Sequence, residues 1–122
     1  MNVSGLTPGD CVRIDRRGRV YPARFEEVTN GSVRVTPLVH NVNYFTVRPR
    51  EIVKVWRQRP SVKAATIRKG DLVELRDAEG VFGVEARLAR KLKVVNVGGH
   101  ESAREVPLSA VAAHYAAPRT RS

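Results

Sequence analysis

Residues 8–25 read PGDCVRIDRRGRVYPARF, and residues 69–88 read KGDLVELRDAEGVFGVEARL. The second line repeats the grammar of the first. With Gly9-Asp10 laid on Gly70-Asp71, an offset of 61, Val12 meets Val73, Ile14 meets Leu75 and Tyr21 meets Phe82. Later the offset shortens to 59, where Val33 meets Leu92 and Val35 meets Val94, and then to 58, where Pro49 meets Pro107 and Val53 meets Val111. The second copy is the shorter one, and its missing residues belong between strands, where deletion is tolerated. We read the chain as a duplicated unit.

The pattern inside each copy is β. In CVRID, Val12 and Ile14 alternate with Arg13 and Asp15, which sets the apolar pair inward. RRGR is a glycine turn, and YPARF places Tyr21, Ala23 and Phe25 on one face. Asn30-Gly31 is the strongest hairpin signal, because a type I′ turn needs positive φ at both central residues. Across that turn Val28 pairs with Val33 and Glu27 with Arg34. Phe25 and Val28 cannot share a face in a regular strand, so a bulge is expected near Glu26-Glu27. SVRVT, NYFTV and VKVW follow as strands, with a short 3₁₀ turn at RPREIV. In the second copy, VEARLARKLK fits either a helix or two strands around ARK, and the repeat favours strands. PLSAVAAHYAA is read as holding a short helix.

About five short strands in some 50 residues, opening on "GD-V", resemble the SH3-like small barrels. The resemblance is nearest to the KOW-type domains of transcription elongation factors and ribosomal proteins, and to Tudor domains. It rests on the GD-V opening, on Tyr21 and Ala23, and on the closing turn before Val53. It implies an all-β fold of two tandem SH3-like small β-barrels. Barrels of this size bury little surface alone, so the two are expected to pack together. A Tudor-type reader of methylated side chains needs an aromatic cage. Val20 stands where a cage aromatic is expected, which argues against methyl-mark reading. The expected organisation is barrel 1 over 1–56, a basic linker over 57–66, barrel 2 over 67–115 and a mobile basic tail over 116–122.

The charge points to a partner. The chain carries 22 Lys and Arg against 12 acids, a net charge of +10. Nine basic and five acidic residues lie in 1–56, three basic and no acidic in 57–66, and eight basic and seven acidic in 67–115. The excess is concentrated in the first copy and the linker, and uneven charge of this kind steers polyanions. Arginine outnumbers lysine 17 to 5, and its planar fork suits phosphate and guanine edges. The bias toward Arg, Ala, Val and Gly also fits a GC-rich bacterium or one of its phages.

Three clusters are the candidate contacts. Arg16, Arg17 and Arg19 share one turn. Arg48, Arg50, Arg57, Arg59 and Lys63 run through the end of barrel 1 and the linker. Arg87, Arg90, Lys91 and Lys93 surround a turn of barrel 2. Charge runs are often merely solvated, and Arg34 and Arg76 are expected to be spent on local acids. Trp56 offers either a stacking platform for a base or a packing residue, and packing is favoured.

No catalytic pattern is visible. His40, His100, His114 and the single Cys11 are far apart in sequence and suggest no zinc site. Gly98-Gly99 reads as a turn rather than a phosphate loop. The one cysteine fits a reducing cytoplasm, and no signal sequence or membrane-spanning run is seen. The expectation is therefore a non-enzyme without cofactor or metal, cytoplasmic, that holds duplex DNA or RNA, with DNA favoured, through its phosphates. Its rivals are a protein-interaction adaptor docking an acidic partner such as a transcription-machinery subunit, and a structural component of a ribosome or phage particle.

Overall fold

The computed structural model describes residues 6–39, 42–97 and 102–117. The fold is all-β with antiparallel pairing. The chain divides into two compact units, Met1–Arg57 and Gln58–Ser122.

Unit 1 contains β1 (Cys11–Arg16), β2 (Arg19–Thr29), β3 (Ser32–Pro37), β4 (Thr46–Val47) and β5 (Ile52–Gln58, which ends at the boundary). Unit 2 contains β6 (Leu72–Leu75), β7 (Ala78–Arg87), β8 (Lys91–Asn96), β9 (Arg104–Pro107) and β10 (Val111–Ala116). Hydrogen bonding orders them β4-β3-β2-β1-β5 and β10-β6-β7-β8-β9. These are the same order in the two units, and among the described residues neither run closes on itself.

Alternation builds each core. Val12, Ile14, Tyr21, Ala23, Phe25, Val33, Val35, Val47 and Ile52 form the apolar centre of unit 1. Val73, Leu75, Phe82, Val84, Leu92, Val94, Val106 and Val111 form that of unit 2. Around the β2–β3 turn, Val28 sits opposite Val33 and Glu27 opposite Arg34, with the register shift between Phe25 and Glu27. Asn30 and Gly31 both have positive φ, 51° and 79°, as a type I′ turn demands.

The entrance to each unit repeats bond for bond. Asp10 and Asp71 are buried. The Thr7 N–H donates to Asp10 Oδ2 at 3.1 Å, and the Arg68 N–H to Asp71 Oδ2 at 3.0 Å. The Gly9 N–H donates to the Phe25 carbonyl and the Gly70 N–H to the Val84 carbonyl, both at 2.9 Å.

Those bonds also correct the alignment of the copies. Val12 faces Ala23 and Val73 faces Phe82, so Phe82 takes the place of Ala23 rather than Tyr21. The two residues that unit 2 lacks come out of the β1–β2 hairpin, where Ile14 faces Tyr21 but its counterpart Leu75 faces Ala78 across a register shift. Farther on, Ile14 faces Ile52 and Leu75 faces Val111. Val111 therefore matches buried Ile52, not Val53, which is 50% exposed. A slip of one residue turns a strand inside out, which rules out the offset of 58 in this region.

Three further expectations change. NYFTV yields only the two residues of β4, and Tyr44 and Phe45 before it are irregular and exposed. PLSAVAAHYAA holds a 3₁₀ turn at Leu108–Ala110, and β10 takes most of the rest by pairing with β6 from Val111 to Tyr115, with a register shift between Val111 and Ala113. In the expected linker, β5 extends through Gln58 and a 3₁₀ turn forms at Ala64–Thr66. VEARLARKLK is two strands, as the repeat requires. His40, Gly98, Gly99, His100 and residues 118–122 of the tail lie outside the described residues.

Candidate nucleic-acid interface

The longer hairpin of unit 1 carries the first arginine cluster. β1 and β2 meet at Arg16 and Arg19, with Arg17 and Gly18 at the tip. Arg17 has a φ of 52° and Gly18 of 87°. Left-handed backbone is uncommon for a residue with a side chain, and the Asp15 carboxylate steadies the turn by accepting the Gly18 N–H at 3.0 Å.

The second cluster arrives from β4 and the turn that follows. Pro49–Glu51 form a 3₁₀ turn. Glu51 Oε1 accepts the Arg48 N–H at 2.7 Å, and the Glu51 N–H returns to the Arg48 carbonyl at 2.9 Å. The acid is thereby committed to the backbone. Arg48 and Arg50 flank the turn and are exposed.

Together these pieces line a cleft of about 570 Å³, walled by Asp15, Arg16, Arg17, Arg48, Arg50 and Glu51 with Ser32 and Thr46 between them. Four arginines face two acids, and both acids hold backbone N–H groups. Arg16 fixes one wall: its guanidinium reaches the Thr46 carbonyl at 3.4 Å and lies 4.2 Å from the centre of the Tyr44 ring. Among the described residues nothing pairs with the side chains of Arg17 or Arg50. Four guanidinium groups against two carboxylates leave this opening with an excess of positive charge, a field that attracts anions.

Behind this cleft sits Tyr21, 2% exposed, with a hydroxyl that has no hydrogen-bond partner among the described residues. Burial pushes its pKa up; Arg16 opposes the rise, and Glu51 and Tyr44 add to it.

The remaining sequence-derived contacts are dispersed. Arg19 is exposed on the same hairpin but does not line the cleft. Arg57 bonds to buried Asp10 Oδ2 at 2.9 Å. Its guanidinium is half-exposed, yet its first task is to neutralise that carboxylate. Arg87 is spent on main chain: it donates to the carbonyls of Ala64 and Ile67, tying β7 to the 3₁₀ turn of unit 2. Lys91 pairs with Glu105. Arg90 and Lys93 are exposed. The Lys63 carbonyl anchors that same turn by accepting from Thr66.

Arg59 lines a second, smaller cleft of about 270 Å³ in unit 2, with Arg68, Lys69, Asp71 and His114. His114 Nε2 meets Asp71 Oδ2 at 2.7 Å, and both side chains are buried.

Two of the neutralisations expected from sequence take particular forms. Arg34 pairs with Glu27 at 3.1 Å, as expected. Arg76 is spent on the Ser109 carbonyl at 3.2 Å rather than on Asp77 or Glu79. Trp56 is a packing residue, 2% exposed, with Arg13 and Lys54 over its ring.

Sequence reasoning missed Tyr44, 44% exposed, whose ring lies against the Arg16 guanidinium on one wall of the first cleft, and its exposed neighbour Phe45. Two adjacent aromatics in the polar run NVNYFTV, directly before RPR, were the available signal. Among the described residues no group of His, Cys, Asp and Glu could hold a metal ion, and no helix is long and apolar enough to cross a membrane. No protein-family model matches the chain, and no curated protein or solved structure is significantly similar to it.

Proposed function

We propose that this chain is a non-catalytic, cytoplasmic nucleic-acid-binding protein built from two SH3-like small barrels, and that unit 1 makes the principal contact. The observation that carries this reading is the cleft where Arg16, Arg17, Arg48 and Arg50 converge while both neighbouring acids are engaged by backbone N–H groups. The mechanism is neutralisation of phosphates by arginine forks, with DNA favoured over RNA.

Phosphate contacts release counter-ions, so affinity falls with salt. Four contacts on a duplex predict a slope of log K against log salt of about −3 to −4. Fluorescence anisotropy of a labelled 20-mer duplex (about two turns of B-DNA) across a salt series measures it. A slope near zero, or no binding at low salt, overturns the proposal. In the latter case the cleft would face an acidic protein surface instead.

A further inference from the structure

We propose that the second cleft, in unit 2, is a site for a phosphate monoester. This goes beyond the nucleic-acid reading of unit 1 and does not depend on it. Arg59, Arg68 and Lys69 line the cleft with Asp71 and His114. All three cations are exposed, and among the described residues nothing pairs with their side chains. The fold uses Arg68 through its main chain alone: its N–H donates to Asp71 Oδ2 at 3.0 Å, and its carbonyl accepts the Asp71 N–H at 3.1 Å. Arg59 is anchored to β10 instead, where its N–H donates to the His114 carbonyl at 2.9 Å. Both guanidinium groups thus leave an anchored backbone and remain available to a ligand.

The one acid in the cleft is already occupied. Asp71 Oδ2 takes the Arg68 N–H and meets His114 Nε2 at 2.7 Å, and Oδ1 takes the Ala117 N–H at 2.9 Å. In unit 1, Asp10 draws on the guanidinium of Arg57, and Thr7 and Pro8 stand where unit 2 has Arg68 and Lys69. Arg68 and Lys69 are therefore additional to the shared framework. With His114 counted as neutral, the lining holds two positive charges in excess. A phosphate monoester carries a charge of about −1.5 to −2 at neutral pH and three acceptor oxygens, whereas each diester of a nucleic-acid backbone carries a single charge. Three cationic donors around an opening of about 270 Å³ match the monoester. The wall also has unmet hydrogen-bonding capacity, since His114 is 1% exposed and its Nδ1 has no partner among the described residues. Inorganic phosphate, a mononucleotide and the 5′-phosphorylated end of a strand all present this chemistry.

The test is titration of the full chain at a pH of about 7.5, where the monoester is mostly a dianion. The probes are methyl phosphate, dimethyl phosphate and thymidine 5′-phosphate, and the readout is the amide resonances of Lys69, Asp71 and Ala116. Both monoesters should give saturable shifts, and dimethyl phosphate, with less charge, should bind about tenfold more weakly. Arg68→Ala with Lys69→Ala should weaken methyl phosphate binding about tenfold, and the fold uses neither side chain. Arg90→Ala with Lys93→Ala, the same loss of charge outside the cleft, should leave that binding unchanged. The labelled duplex with 5′-phosphates in place of 5′-hydroxyls identifies the source. A gain in affinity that Arg68→Ala with Lys69→Ala abolishes assigns the cleft to a strand end, and saturable monoester binding without that gain assigns it to free phosphate or a mononucleotide. No saturable shift with either monoester, equal binding of methyl and dimethyl phosphate, or equal losses in the two double variants would each overturn the proposal. A chain that binds the monoesters but no duplex would overturn the reading of unit 1 and leave this one standing.

Discussion

The hairpin end of unit 1 and the same end of unit 2 share one strand order and differ in charge. In unit 1 the tip is Arg16-Arg17-Gly18-Arg19, and the turn opposite brings Arg48 and Arg50. In unit 2 the tip is Leu75-Arg76-Asp77-Ala78, two residues shorter along the strands. Arg76 is bonded to a carbonyl, Asp77 lies 3.9 Å from Arg104, and the matching turn is Leu108-Ser109-Ala110. Among the described residues Arg17 and Arg50 at the first end have no side-chain partner, while Arg76 and Asp77 at the second each have one. The framework below is unchanged, including the buried aspartate at each entrance. The shared bonds hold each unit, and the difference is confined to the loops above them, where change is tolerated.

The strongest test of the shared framework is at the aspartates, because what each one holds differs. Asp71 receives the Arg68 and Ala117 N–H groups, both part-buried, and the buried His114. Asp10 receives the Thr7 N–H and a half-exposed Arg57. Asp71→Ala should cost about 3–4 kcal/mol, since it strands buried donors, and Asp10→Ala about 2 kcal/mol, since water reaches Arg57. Amide protection in unit 2 and fluorescence of Trp56, the only tryptophan, read the two units separately. Equal losses would mean that the framework is insensitive to its partners.

The functional contrast is sharpened by paired substitutions. Arg48→Ala with Arg50→Ala should weaken nucleic-acid binding by about 2 kcal/mol at low salt and flatten the salt slope by about 1.8. Arg90→Ala with Lys93→Ala removes the same charge from unit 2 and should change the slope by less than about 0.5. Equal effects, measured by anisotropy across salt, would break the assignment of the contact to unit 1.

The smallest effect concerns Tyr21, whose place opposite Ile14 is taken in unit 2 by Ala78 opposite Leu75. Its folded-state pKa is raised by burial. Its neutral form thus contributes stability that is complete below the ordinary tyrosine range, near pH 10, and is lost as pH rises through the higher folded value. Tyr21→Phe should remove this alkaline loss. At neutral pH it should cost less than about 0.5 kcal/mol, because the hydroxyl has no described partner to strand. Urea titrations followed by Trp56 fluorescence at pH 7 and above pH 10 decide it.

What the sequence disclosed follows the range of each interaction. The β2–β3 hairpin was legible down to its pairs and its bulge, because Asn30-Gly31 fixes the turn and the apolar phase fixes the rest. The strand order of both units followed from the repeat. The register between copies was only partly legible: a two-residue deletion keeps the inward phase, so Tyr21 and Phe82 seemed equivalent until their partners were seen. Arg16 and Arg17 were visible as one cluster and Arg48 and Arg50 as another, but their meeting across some 30 residues depends on topology. The partners of Arg57 and Arg87 were hidden for the same reason, since Asp10 and the Ala64 and Ile67 carbonyls lie far from them in the chain.

Cys11 gives the molecule a clock. It is the only thiol, 0% exposed, at the opposite end of β1 from Arg16 and paired across to Trp56 on β5. A reagent can reach its sulfur only when β1 leaves its neighbours, so the rate of labelling counts openings of unit 1. A ligand seated on Arg16 and Arg17 favours the closed strand, and by mass action it should slow that clock in proportion to how far it exceeds its dissociation constant. Occupancy at one end of a strand thus becomes readable as reactivity at the other, without a label anywhere near the site.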